Sequence, residues 1–274
     1  ALGAILFQRL GEQIPPLALT LLKGALSVVL LALALLLTGY GAIDGRSLLL
    51  LVFSGILGIS VGDTFFFAAL NDLGAHALVV LSTLGEVLTI ALAVLFLGER
   101  HNVSAWLGIA CVVAGITIVL GSKLRGEKSA SGWRGIAFGL MAVLCMSVST
   151  VIAKEGLEGV SALQATFIRM VSGTLGMFVF GTATGQVGKW ISPLRDIHLV
   201  SRLFLSVGFI TFGGFWLSLV SIQYIDVSIA NSLNTTDPIF VLLLAAIFFK
   251  EKITRPAAIG TAMTVAGIVA LWHE

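Results

Sequence analysis

Long apolar runs separated by brief polar breaks set the pattern of this chain. Stretches long enough to cross a bilayer as helices run Leu17–Thr38, Ser47–Leu70, Ala75–Leu97, Ser104–Gly121, Trp133–Ala153, Ser161–Thr182, Leu199–Ile222, Ser228–Phe249 and Pro256–Trp272. About 20 apolar residues suffice for a helical crossing. Barrel strands are excluded, because these runs are too long and too evenly apolar for strands that alternate between lipid and lumen. The breaks carry loop chemistry, such as Thr38-Gly39-Tyr40-Gly41 and Lys123-Leu124-Arg125-Gly126-Glu127-Lys128. Only the second reads as a linker between halves.

The punctuation repeats. Thr83, Phe96, Glu99, Gly108, Ala114 and Gly115 recur as Thr235, Phe248, Glu251, Gly260, Ala266 and Gly267, always 152 positions on, and Gly62 recurs as Gly214. Thr20 and Lys23 recur as Thr166 and Arg169 at an offset of 146, which leaves six extra residues near Lys189–His198. A fixed period signals duplication. With five spans per unit, the second copy must be inverted relative to the first, an architecture that secondary transporters use with the site at the repeat interface. Arg9 corresponds to Lys154 at an offset of 145, which would map Trp133 to a position before Ala1. The chain is therefore expected to begin inside a truncated first helix, with ten helices in the intact protein. The predicted fold is all-α integral membrane, with one repeat over 1–121, a linker loop at 122–132 and a second repeat over 133–274.

Composition agrees. Among 274 residues, 58% are hydrophobic and only 11% charged, against roughly 25% charged in soluble domains; mean hydropathy is +1.07. Net charge is +2 with no basic run, which argues against a nucleic-acid partner. Cys111 and Cys145 lie in apolar runs and read as free thiols. No signal-peptide pattern, phosphate-binding loop, zinc motif or nucleophile elbow is present, so no enzyme and no cofactor are expected. Loop cations, eleven against three, place the loops after the odd-numbered spans in the cytoplasm and the termini outside.

The segment Leu95-Phe96-Leu97-Gly98-Glu99-Arg100 with Trp106-Leu107-Gly108 and Ala114-Gly115 resembles the end of an EamA domain. Phe248-Phe249-Lys250-Glu251-Lys252 with Gly260 and Ala266-Gly267 resembles it again, as does Asp237-Pro238. The chain is thus identified as similar to the drug/metabolite transporter superfamily. That resemblance implies a secondary transporter, an exporter of a small metabolite such as an amino acid, in the cytoplasmic (inner) membrane. It also implies a central cavity between the first, third, fourth, sixth, eighth and ninth spans. Glu86 departs from it, standing where the second copy has Pro238 and where the family commonly has proline. A facilitative uniporter and an intramembrane enzyme on lipid-linked substrates are the alternatives. The expected partners are a small-molecule substrate, membrane lipid and, as candidate coupling ion, protons.

Ionisable residues inside a span are functional candidates, because each costs several kcal/mol to bury. Glu86, mid-way along the fourth span, shares a helical face with Ser82, Thr83 and Thr89. It reads as a titrating site, or else as a carboxylate neutralised by Lys23 or Arg169 that locks helices together. Asp63, with Ser60, Thr64 and Asn71, forms another polar face nearer the interface. Asn231, Asn234 and Asp237, beside Pro238, form either a polar binding surface or a structural kink. Lys23 and Arg169 are expected to snorkel to the headgroups rather than bind a substrate anion. Gly55, Gly58, Gly62, Gly108, Gly115, Gly135, Gly139, Gly260 and Gly267 read as helix-packing positions. Phe65, Phe66, Phe67, Phe212, Phe215 and Trp216 lie at equivalent depths; some of these rings, with Trp216 taken as a site residue, are candidates to line an apolar cavity, and core or lipid contact is the alternative for each.

Overall fold

The structure is a computed structural model that describes residues 2–85, 88, 103–126, 130–224, 237–248 and 254–272. The described elements are all helical: α1 (Leu2–Gly11), α2 (Pro16–Thr38), α3 (Gly45–Gly55), α4 (Asp63–Ser82), α5 (Val103–Gly126), α6 (Ala130–Gly156), α7 (Ala162–Ala183), the short α8 (Val187–Trp190), α9 (Ile197–Ile210), α10 (Leu217–Tyr224), α11 (Asp237–Phe248) and α12 (Arg255–Trp272). Two wide π-helical turns, Ile56–Gly62 and Thr211–Trp216, join α3 to α4 and α9 to α10 without breaking either rod. Five described helical runs are long and apolar enough to cross a membrane, and shorter apolar helices cover Ala110–Val119 and Ile239–Phe248. Leu36, Leu37, Val179 and Leu205 face outward and exposed, a surface that lipid accepts and water does not.

Local chemistry sets the helix ends. Pro16 starts α2, where its missing N–H costs nothing. Asp44 caps α3 by accepting from the Arg46 and Ser47 amides at 3.0 and 3.1 Å. Hydrogen bonding to Ser47 first, then to Arg46, holds the Asp44 carboxyl below its ordinary range. The cap therefore stabilises above the unfolded carboxylate pKa and fades as pH falls through the lowered folded value. Ser161 and Asp196 cap α7 and α9 in the same way. Helix α5 runs to Gly126 and α6 starts at Ala130, so helix occupies much of the stretch expected to be a linker loop.

The 38-residue run Gly45–Ser82 is too long for one crossing. Gly74, at φ 77 and ψ 166, interrupts it. Before Gly74 the chain runs antiparallel to α6, with Leu51 against Gly156, Ser149 against Gly58, and Leu73 against Gly135. After it the direction matches α6, with Leu81 against Gly139 and Gly85 against Val143 and Ser147. Gly74 is thus a chain reversal, as the break between the runs Ser47–Leu70 and Ala75–Leu97 anticipates. A Cβ there would meet only ordinary contacts, so Gly74→Ala is expected to cost about 1–2 kcal/mol through its left-handed backbone alone, measurable as a lower unfolding temperature in detergent.

Helix α6 packs along α3 and α4, α7 against α2 and α3, α1 against α4, α9 and α11, and α12 along α5. The α5–α12 seam is made of glycines. A Cβ on Gly115 would lie 2.5 Å from the Gly260 carbonyl oxygen, and one on Gly267 would lie 2.6 Å from that of Gly108. Backbones approach this closely only where neither helix carries a side chain. Gly55 against α7 and Gly58 against α6 have the same function, as the glycine spacing predicts.

Candidate functional site

A buried polar cluster sits where α2, α3, α4, α6, α7 and the second π turn meet. Helix α2 is apolar almost throughout, so the one lysine on its protein-facing side enters the interior. Lys23 is 1% exposed and Asp63 3%. The ammonium donates to Asp63 Oδ2 and lies 4.4 Å from the centre of the Phe215 ring and 5.6 Å from that of Phe67. A carboxylate and two aromatic faces thus replace the water that Lys23 gives up. Asp63 owes its direction to the π turn: its own N–H bonds back to Gly58 O, five residues earlier. The extra residue in that turn rotates everything after it by about one residue's angle.

Arg169 enters from α7 and is 9% exposed. Its Nη2 donates to Ser149 Oγ at 3.0 Å. Ser149 and Ser54 hold each other, each hydroxyl 2.8 Å from the other's carbonyl oxygen. Gly58 makes the room, since a Cβ there would collide with Ser149 and lie 3.5 Å from Arg169 Nη2. The Arg169 Nε is buried with no hydrogen-bond partner. Around this core, Thr64 donates to Ser60 O at 2.7 Å and lies 3.2 Å from Thr20 Oγ1; Ser27 and Thr211 share a 2.7 Å hydrogen bond between α2 and the second π turn.

Several expectations change. Lys23 and Arg169 do not snorkel, because both face protein and both are buried. Asp63 is not at a watery helix end; it is enclosed and paired. Asn71 does not share its surroundings and donates to Gly11 O at an exposed position. Lys23 is committed to Asp63. Ser82 and Thr83 donate to Leu78 O at 2.9 Å and Val80 O at 2.6 Å, so both hydroxyls are satisfied by their own helix. Trp216 packs edge-on to Phe212 at 6.1 Å, beside an apolar cluster containing Leu219 and Ile222. Glu86, Thr89, Asn231 and Asn234 lie outside the described residues. Asp237 opens α11, and its side chain lies outside them too. Ser54 and Ser149 carry the cluster although the sequence gives no sign of them, and Phe215 joins it as one of the six rings at equivalent depths. Phe215 stands 152 positions after Asp63, so the repeat itself pointed to it. Both cysteines are free, and no metal-ligand group appears among the described residues.

A helical, lipid-facing molecule with a buried charged cluster between its spans defines a multi-pass membrane protein of the transporter kind. The profile of the EamA-like transporter family matches residues 1–121 and 133–272; the chain belongs to that family. An uncharacterized transporter of Archaeoglobus fulgidus is 25% identical over 209 residues, covering 76% of this chain and 71% of its own. One of Clostridium kluyveri is 23% identical over 229 residues, covering 83% and 73%. A crystal structure shares the fold at a TM-score of 0.65 and 17% identity, across 98% of this chain and 94% of the other.

Proposed function

We propose that the protein is a ten-span secondary transporter that exports a small metabolite, such as an amino acid, across the cytoplasmic membrane by alternating access. Two inverted five-helix repeats, 1–121 and 133–274, would rock against each other about the buried cluster. The observation that carries this reading is that both repeats supply the cluster: Lys23 and Asp63 come from the first, Arg169, Thr211 and Phe215 from the second. A site at the repeat interface is what alternating access needs.

The glycine seam supports the inversion. The pair Gly115–Gly260 becomes Gly267–Gly108 when each residue is exchanged for its repeat mate, and the two contacts run along antiparallel helices. A two-fold axis exchanging antiparallel helices lies across them, in the plane of the membrane. Helix pairings exchange likewise: α6 lies on α3 and α4, while α1 lies on α9 and α11.

Purified protein in liposomes should exchange a labelled solute across the bilayer. Lack of exchange with every small metabolite offered would sink the reading; exchange without gradient-driven accumulation would make it a uniporter. Within this scheme Glu86 is the proton-coupling group, and Asn231, Asn234 and Asp237 form part of the solute surface. Glu86→Gln should then weaken the response to an imposed pH gradient and leave solute exchange in place, a comparison of the two assays on one preparation. Asn234→Ala should lower solute affinity about tenfold, the loss of one charged-group hydrogen bond.

A further inference from the structure

We infer that Arg169 is an anion-docking residue and that the solute carries a carboxylate that binds there as a monoanion, an inference that rests on the transporter reading and names its substrate class. Among the described residues, the cluster holds two cations and one carboxylate. Asp63 bonds Lys23 directly, while the hydrogen bond that Arg169 makes is to a neutral hydroxyl, Ser149. Its Nε–H lacks an acceptor although the side chain is more than nine-tenths buried. A charged donor without an acceptor, in a protein immersed in lipid, marks a place for something else.

The geometry of the guanidinium selects what that is. Ser149 takes one of the two Nη2 N–H groups, which leaves the second and the Nε–H to serve the two oxygens of a carboxylate. The charge sum selects its valence. Two cations less one carboxylate leave a single positive charge; a monoanion cancels it, whereas a dianion would leave buried negative charge. Lys23 is a reserve cation held by Asp63. The carboxylate of Asp63 is therefore an internal competitor of the incoming one.

The experiment measures binding to purified protein at constant ionic strength and neutral pH, using benzoate and lactate as probes, benzamide and lactamide as neutral counterparts, and succinate and sulfate as dianions, which should bind more weakly than the monoanions. Saturable heat and a raised unfolding temperature are expected with a monocarboxylate and not with its amide. Arg169→Gln should weaken that binding about tenfold or more, the worth of a charge-assisted hydrogen bond. Asp63→Asn should strengthen it, because Lys23 is released, and the unfolding temperature of that variant should rise most when the probe is added. If Arg169→Gln does not fold, acid-over-amide discrimination by the parent protein and the sign of the Asp63→Asn change decide. Equal binding of acid and amide, unchanged binding by Arg169→Gln, or weaker binding by Asp63→Asn overturns the inference. So does complete indifference to monoanions, the result if a carboxylate such as Glu86 already neutralises Arg169. Counterflow of labelled lactate in liposomes, with protein-free liposomes as the blank, separates the two levels: binding without counterflow of lactate or of any other metabolite offered keeps the anion site and removes the transporter reading, whereas counterflow confined to amides or amines keeps the transporter and removes the site.

Discussion

Lys23→Met should destabilise the protein by about 3–5 kcal/mol, the cost of leaving one member of a buried ion pair without the other. Asp63 would then be an enclosed carboxylate facing a thioether. The rings of Phe67 and Phe215 cannot compensate, because they attract the cation that has been removed. Asp63→Leu alone should cost a similar amount from the opposite side: Lys23 would keep its aromatic contacts, but cation–π attraction of about 0.5–2 kcal/mol does not replace a carboxylate. The double variant Lys23→Met, Asp63→Leu should recover most of the loss, since replacing a buried pair by apolar residues of similar volume is often close to neutral. Unfolding in detergent with graded denaturant measures all four proteins. Two single variants each within 1 kcal/mol of the parent would mean that water reaches the pair. The recovered double variant should still fail in transport, because the cluster would have lost both charges that α2 and α4 place between the repeats.

The spans were legible because transfer into lipid is decided by summed hydropathy, and the runs Trp133–Ala153 and Ser161–Thr182 lie within three residues of α6 and α7. The packing glycines were legible for a related reason: spacing along a helix fixes which residues share a face, and Gly115, Gly260 and Gly267 do touch the partner helix. The directions of the charged side chains were not. Helix α2 does carry Thr20, Lys23 and Ser27 at helical spacing on its buried face, but a lysine two turns from a helix end reads as reaching for headgroups. The π turns mislead further. A face counted at 100° per residue fails across Ile56–Gly62, which separates Ser54 from Asp63; Asn71 is eight residues further along α4, about 12 Å up its axis, and so ends far from the partners of Asp63.

The hydroxyl faces failed differently. In an apolar helix, Ser and Thr bond the carbonyl three or four residues back, as Ser82 and Thr83 do. A polar stripe in the sequence then records satisfied side chains and does not by itself mark a cavity. What did carry information was the repeat. Lys23 and Arg169 correspond, as do Asp63 and Phe215, and all four residues converge on the cluster. The asymmetric member is the carboxylate: the first repeat brings an acid where the second brings a ring.

The α5–α12 seam gives a prediction that tests packing and duplication together. Gly115→Ala is expected to destabilise by about 1–3 kcal/mol, the usual range for overpacking. Its Cβ would stand 2.5 Å from Gly260 O and 2.7 Å from Thr264 N, backbone atoms that move only if α12 moves. Gly267→Ala should cost a similar amount, because its Cβ meets Gly108 O at 2.6 Å and Val112 N at 2.8 Å, the same contact seen from the other repeat. Gly188→Ala is the control: a Cβ there meets nothing within 4 Å and the backbone is not in the left-handed region, so a change under about 0.5 kcal/mol is expected. Gly115→Leu and Gly267→Leu should go further and separate the two helices, seen as loss of the monodisperse peak on size-exclusion chromatography after solubilisation. Gly115→Ala combined with Gly260→Ala should cost less than the two single changes added together, since both push the same pair of backbones apart and one displacement relieves both. Equal costs at Gly115 and Gly267 are what the two-fold relation requires. A free substitution at one and a severe one at the other would show that the repeat has lost its symmetry at this seam, while harmless alanines at both would mean that α5 and α12 are not held together there at all.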